Sequence, residues 1–154
     1  MGFRISRAIL MAIAIFDDHG IRFEYPFDWE LDVTDDGPRT TVSVQAPSGL
    51  AFALVTIDEQ GTDPEELVAE ALDALREEYP TLMADPAEET IDGHPSVGHD
   101  VEFVSLDLSV ACSLRGFRTP RRTLFILTQW SDLESLESDD ALRMLRRSIE
   151  ETDS

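Results

Sequence analysis

Lysine is absent from the 154 residues: all 12 basic residues are arginine, against 32 acidic ones, for a formal charge of −20. A chain this acidic repels phosphate backbones, whose binding rests on neutralisation by basic side chains, and it repels anionic membrane surfaces for the same reason. Cysteine occurs once, at Cys112, which excludes an internal disulfide and any multi-cysteine metal site, and fits a reducing compartment. No apolar run approaches the ~18 residues a bilayer-spanning helix needs. Repeats, low-complexity tracts and inter-domain linkers are missing. So are the glycine-rich phosphate loop, G-x-G-x-x-G, G-x-S-x-G and H-E-x-x-H. The enzyme classes marked by those motifs lose support, and no cofactor is expected.

What is present describes one globular domain. Hydrophobic residues make up 42% of the chain, an ordinary share, and a chain of this length buries roughly 70% of its unfolded surface on folding. Residues 1–16 stand apart. Arg4 and Arg7 lead into a short apolar stretch over 8–16, which mimics the charged and apolar regions of a secretory leader. That stretch runs into Asp17-Asp18 without a small-x-small cleavage site or a lipid-bearing cysteine. Residues 2–6 match the myristoylation pattern, which is short enough to arise by chance. The favoured organisation is an N-terminal extension or first strand over 1–16, with Met11 as an alternative start, then a single domain over 17–151. The location expected is cytoplasmic, with export as the alternative if residues 1–16 act as a signal.

Strand patterns dominate residues 21–57. Ile21, Phe23 and Tyr25 alternate with Arg22 and Glu24, the period of a strand with one buried face, and Pro26 ends it before Trp29. Leu31 and Val33 alternate up to the turn Asp35-Asp36-Gly37-Pro38. Val42, Val44 and Ala46 follow, and Pro47-Ser48-Gly49 leads into 50–57, which is apolar on both alternating sets. A helix comes next. Asp63 is a good cap, Pro64 suits the first turn, Glu66 completes a capping-box-like pair, and Val68, Ala71, Leu72, Leu75 and Tyr79 recur at helical spacing until Pro80. Then come a poorly patterned strand over 83–91, a turn at Asp92-Gly93-His94-Pro95, and long strands over 97–106 and 109–118. A turn over 119–122, a two-faced strand over 124–127 and a helix starting near Ser138-Asp139-Asp140 complete the chain. This order predicts an α+β domain, a mostly antiparallel β-sheet of about six to seven strands flanked by two main helices on opposite faces.

Two short motifs point to a known family. Gly20-Ile21-Arg22-Phe23-Glu24-Tyr25-Pro26, followed by Trp29, resembles the opening G-[FI]-x-[FIL]-x-[YL]-P-x-x-W of the PsbP/Mog-like superfamily, and Asp92-Gly93-His94-Pro95 resembles its Gly-Pro turn. The long helix, the hairpin and the final strand and helix fall in that family's order over roughly residues 17–150. Both motifs are structural. The family includes a photosystem extrinsic subunit, a Ran-binding nuclear protein, envelope lipoproteins and adaptors for type VI secretion effectors. The resemblance therefore implies a non-enzymatic, protein-binding or adaptor module whose partner is another protein or a polypeptide segment.

Candidate chemistry is sparse. His94, His99 and Asp100 are the nearest approach to a metal constellation, but odd spacing along a strand sends side chains to opposite faces. Cys112 lies mid-strand, as a buried structural thiol does. The most informative local departure is an arginine island: Arg115, Arg118, Arg121 and Arg122 fall within eight residues, and seven of the 12 arginines follow residue 114. Such a group can hold carboxylates or phosphates bidentately, or it can neutralise the chain's own acids. With Trp130 it forms the candidate binding set, and the alternative function is a small-ligand or anion-binding domain built on the 115–122 region. No catalytic residue and no metal ligand is assigned.

Overall fold

The computed structural model describes residues 12–134 and 136–152. The readings of residues 1–11 as a leader, a myristoylation site or a segment ahead of a start at Met11 lie outside the described residues. The elements run β1 (Ile13–Asp18), β2 (Ile21–Pro26), β3 (Glu30–Asp36), β4 (Arg39–Gln45), β5 (Ala51–Asp58), α1 (Pro64–Glu78), β6 (Met83–Ile91), β7 (His94–Ser105), β8 (Leu108–Arg118), β9 (Thr123–Ser131), α2 (Leu136–Ser148) and β10 (Glu150–Glu151).

Seven strands form one sheet in the order β3-β4-β5-β9-β8-β7-β6, with every neighbouring pair antiparallel. Two local meanders, β3-β4-β5 and β6-β7-β8-β9, are joined along the β5–β9 seam, where Leu54 faces Leu127 and Val55 faces Ile126. These are the two strands whose sequence is apolar on both faces, and both lie centrally. A second sheet, β1-β2-β10, was not expected from the sequence. Its third strand is only Glu150-Glu151, paired with Arg22 and Ile21, and two acids carry no alternation to read.

The sheet separates two cores. On one face α1 packs Leu67, Val68 and Leu72 onto Val101, Phe103, Cys112, Leu114 and Phe125. On the other, Leu142, Leu145 and Ile149 join Phe16, Ile21 and Phe23 of the small sheet over Val42, Val44, Val55, Leu124 and Ile126. The helices thus cover opposite faces, as expected. Asp63 caps α1 by accepting from the Glu65 N–H at 3.0 Å; the capping bond goes to Glu65, one position before Glu66. Gly116 lets α1 settle onto β8, because a Cβ there would stand 3.2 Å from the Pro64 carbonyl oxygen and the Val68 side chain.

Two boundaries differ from the sequence reading. Asp92 and Gly93 both have positive φ (51° and 75°), the geometry of a two-residue hairpin turn. His94 and Pro95 are therefore already strand residues, facing Ile91 and Thr90. Helix α2 starts at Leu136, two residues before Ser138. Ser138 donates to Glu134 Oε2 at 2.5 Å, so its side chain reaches back to the residues preceding the helix instead of starting it.

Candidate functional site

Helix α2 lies on β2, β5 and β9. It leaves the same face of β6, β7 and β8 open, and the strand register decides what is displayed there. Met83, Glu102, Ala111 and Trp130 stand in one row across four strands. Side chains two residues along share a face, so Val104, Ser113 and Arg115 project to this side too. The result is a continuous cleft with two ends.

The polar end, about 360 Å³, lies between α2 and the middle of β7 and β8. Arg115 forms its floor and is only 5% exposed. Its Nε donates to Glu89 Oε1 at 2.8 Å and its Nη2 to Asp100 Oδ1 at 2.7 Å. Its Nη1 donates to the carbonyls of His99 and Leu114 at 3.1 and 3.0 Å. Gly98, opposite Arg115, makes this packing feasible: a Cβ at Gly98 would lie 1.7 Å from the Leu114 carbonyl oxygen. Arg146 reaches in from α2. Its Nη1 donates to Ser113 Oγ at 3.1 Å, and Ser113 in turn shares a 2.5 Å hydrogen bond with Thr128. Arg146 Nε sits 2.9 Å from Glu89 Oε1, an ion pair without hydrogen-bond alignment. Arg143 pairs with Asp139 one turn earlier on α2.

The other end, about 400 Å³, is an apolar shelf. Met83 and Val104 are 69% and 67% exposed, Ala111 and Trp130 are half-buried, and Glu102 and Asp132 edge it. The two ends share Glu102, Ala111 and Trp130 as common wall.

The arginine island is thus divided. Arg115 and Trp130 line one cleft, joined by Arg143 and Arg146 from α2. The other three arginines lie at or beside the turn at the far end of β8. Arg122 is 4% exposed; it donates to Glu151 of β10 and lies 3.4 Å from Glu59. Arg118 is exposed and lays its guanidinium beside Gly61. Arg121 is exposed in the turn itself. Three strand steps at ~3.3 Å each carry β8 from Arg115 to its end at Arg118, and the chain then turns over 119–122, a separation that closeness in sequence conceals. Glu89, Asp100 and Arg146 were not assigned to a site from sequence. Parity could have found part of the set, since residues 111, 113 and 115 share a face; placing Trp130 against Ala111 needs the register.

The remaining candidates sit elsewhere. His94 stacks on Phe117 at 5.4 Å between ring centres, and His99, five residues along β7, faces the α1 side. Among the described residues no three His, Cys, Asp or Glu side chains gather as metal ligands. Burial, with a smaller contribution from Asp100, pushes the Cys112 thiol up to about 12, so it stays protonated and unreactive at neutral pH. No described helix is long and apolar enough to cross a membrane.

No family model matches the chain, and no curated protein matches it. Solved structures do. Cyanobacterial PsbP from Synechocystis sp. PCC 6803 superposes with a TM-score of 0.62 at 10% identity, over 92% of this chain and 94% of that one. LpqN, involved in cell envelope biogenesis of Mycobacterium tuberculosis, gives 0.57 at 14% identity over 96% and 94%. A Bacteroides thetaiotaomicron protein gives 0.59 at 10% identity over 91% of this chain and 48% of the other, so the chain spans about half the length of that relative. Likeness at these identities is likeness of fold.

Proposed function

We propose that this PsbP/Mog-like fold serves as a protein-binding module that receives a polypeptide segment in the cleft beside α2. The observation carrying the proposal is the uncovered α2-side face of β6–β8, where an apolar shelf and a charged pocket adjoin. A shelf with exposed Met83 and Val104 is costly to leave in water, and such patches mark interaction sites. Non-enzymatic use is supported by the likeness to PsbP and LpqN, which are not known enzymes, and by a thiol held protonated in the core.

The anion-binding alternative at 115–122 asks more of the structure. An anion at Arg115 would have to displace Glu89 and Asp100, and one at Arg122 would have to displace Glu59 and Glu151. The proposal includes a cytoplasmic location, supported by a single buried cysteine; fractionation of the expressing cell tests it. A photo-crosslinking side chain placed at Ala111 tests the site. Capture of a polypeptide segment there, competed by the free segment and absent when the crosslinker replaces exposed Arg121 instead, is the outcome expected. Equal capture at both positions would remove the cleft from the proposal.

A further inference from the structure

Charge is distributed unevenly along the cleft. At the polar end the acids beyond the shared wall are matched: Glu89 by Arg115 and Arg146, Asp100 by Arg115, Asp139 by Arg143. Around the shelf the acids are exposed, and among the described residues neither Glu102 nor Asp132 has an ion-pair partner. An apolar floor is therefore framed by negative charge with no internal counterpart, on a molecule of net charge −20. An occupant that covers the floor desolvates these two carboxylates, which is unfavourable unless it brings cations to them.

We infer, resting on the function proposed above, that the segment seated on the shelf is cationic and amphipathic. Its apolar side chains lie on Met83, Val104, Ala111 and Trp130, and its Lys or Arg side chains reach Glu102 and Asp132. Four other occupants fit less well. A nucleic acid or an anionic lipid surface is repelled by the rim and by the whole molecule. A second copy of this chain brings the same negative charge. Strand addition at the free edge of β6 is opposed by Pro86 in that strand, a residue type that guards sheet edges. The occupant is held by side chains, with complementary charge setting partner choice.

Synthetic peptides test this. One carries Leu and Lys at helical spacing over about 14 residues; two others replace Lys by Gln or by Glu. Binding to the full chain is read by fluorescence anisotropy. The Lys peptide should bind at least about tenfold tighter than the Gln peptide, and the Glu peptide should not bind. Raising salt from about 0.05 to about 0.5 M should weaken the Lys peptide several-fold. The pair Glu102→Arg and Asp132→Arg, both at exposed positions, should lose about tenfold for the Lys peptide and gain for the Glu peptide, with circular dichroism unchanged. Val104→Asp should weaken every peptide that binds. Equal binding of the Lys and Gln peptides would overturn the charge inference and leave the cleft in place. Failure of all three peptides, with crosslinking at Ala111 also negative, would overturn both. A dimer of the free chain that dissociates on Val104→Asp would assign the shelf to a second copy and overturn the inference as well.

Discussion

Arg115 shows how a single side chain can be legible as chemistry and illegible as geometry. Its guanidinium is buried and spans Glu89, Asp100 and two carbonyls. Arg115→Ala should lower the unfolding free energy by about 3 kcal/mol, the low end for breaking a buried pair, because Asp100 is well exposed and Arg146 still serves Glu89. Urea denaturation measures it. Lysine at the position should restore little of the loss, because a single ammonium cannot reach all four acceptors that the guanidinium fork spans. From the sequence, four nearby arginines suggested one site. The structure makes two arrangements of them, because a strand carries position 115 to mid-sheet while 118–122 stay at the turn. Trp130 lines the same cleft as Arg115; Glu89 and Arg146, which the sequence does not place near Arg115, reach it only through long-range pairing. Asp58 gives a second prediction at this scale. It is fully buried. Burial raises its pKa, but the Thr62 hydroxyl, the Gln60 N–H and Arg39 together hold it below the ordinary 3.8. A carboxyl lowered on folding stabilises the native state above its unfolded-state value, and that contribution fades as pH falls through the lower folded value. The stability difference between the parent and Asp58→Asn should be fully developed at pH 7 and shrink below about pH 4, as urea midpoints across pH will show.

Elements were readable where one face is wet and the other dry. Ile21 and Phe23 announced β2, and Asp63-Pro64 announced α1. β6 was blurred because it is an edge strand with Met83, Asp85 and Glu88 turned to solvent and Pro86 within it. β10 was invisible because backbone pairing alone defines it. At Gly98, β7 and β8 meet around Arg115 with no room for a Cβ. Gly98→Ala should be severely destabilising, by about 4 kcal/mol or more, since a backbone oxygen occupies the place of the new methyl. Gly37→Ala offers the contrast. There the surroundings are open and only the positive φ of 63° resists, for a cost of about 1 kcal/mol. Thermal unfolding of the two variants separates steric exclusion between strands from local backbone preference.

At the scale of the molecule, the −20 charge sets the response to salt. Self-repulsion among exposed acids is screened readily, whereas the Arg115–Glu89 and Arg122–Glu151 pairs, whose two members are both largely covered, are screened less. Melting temperature should therefore rise as NaCl increases from about 0.05 to about 1 M; a falling curve would mean that attractive surface pairs dominate. The fold also has a property in time. Ile21 and Phe23 are fully buried only once α2 and β10 arrive, and Arg22 meets Glu150 across 128 positions of sequence. At synthesis rates of about 5–20 residues per second, the β1–β2 hairpin waits roughly six seconds or more for its cover. During that interval its inner face is bare on a nascent chain. A ribosome stalled before residue 140 should hold a molecule whose first strands remain open to proteases and chaperones, and release of the final helix should close them in one step.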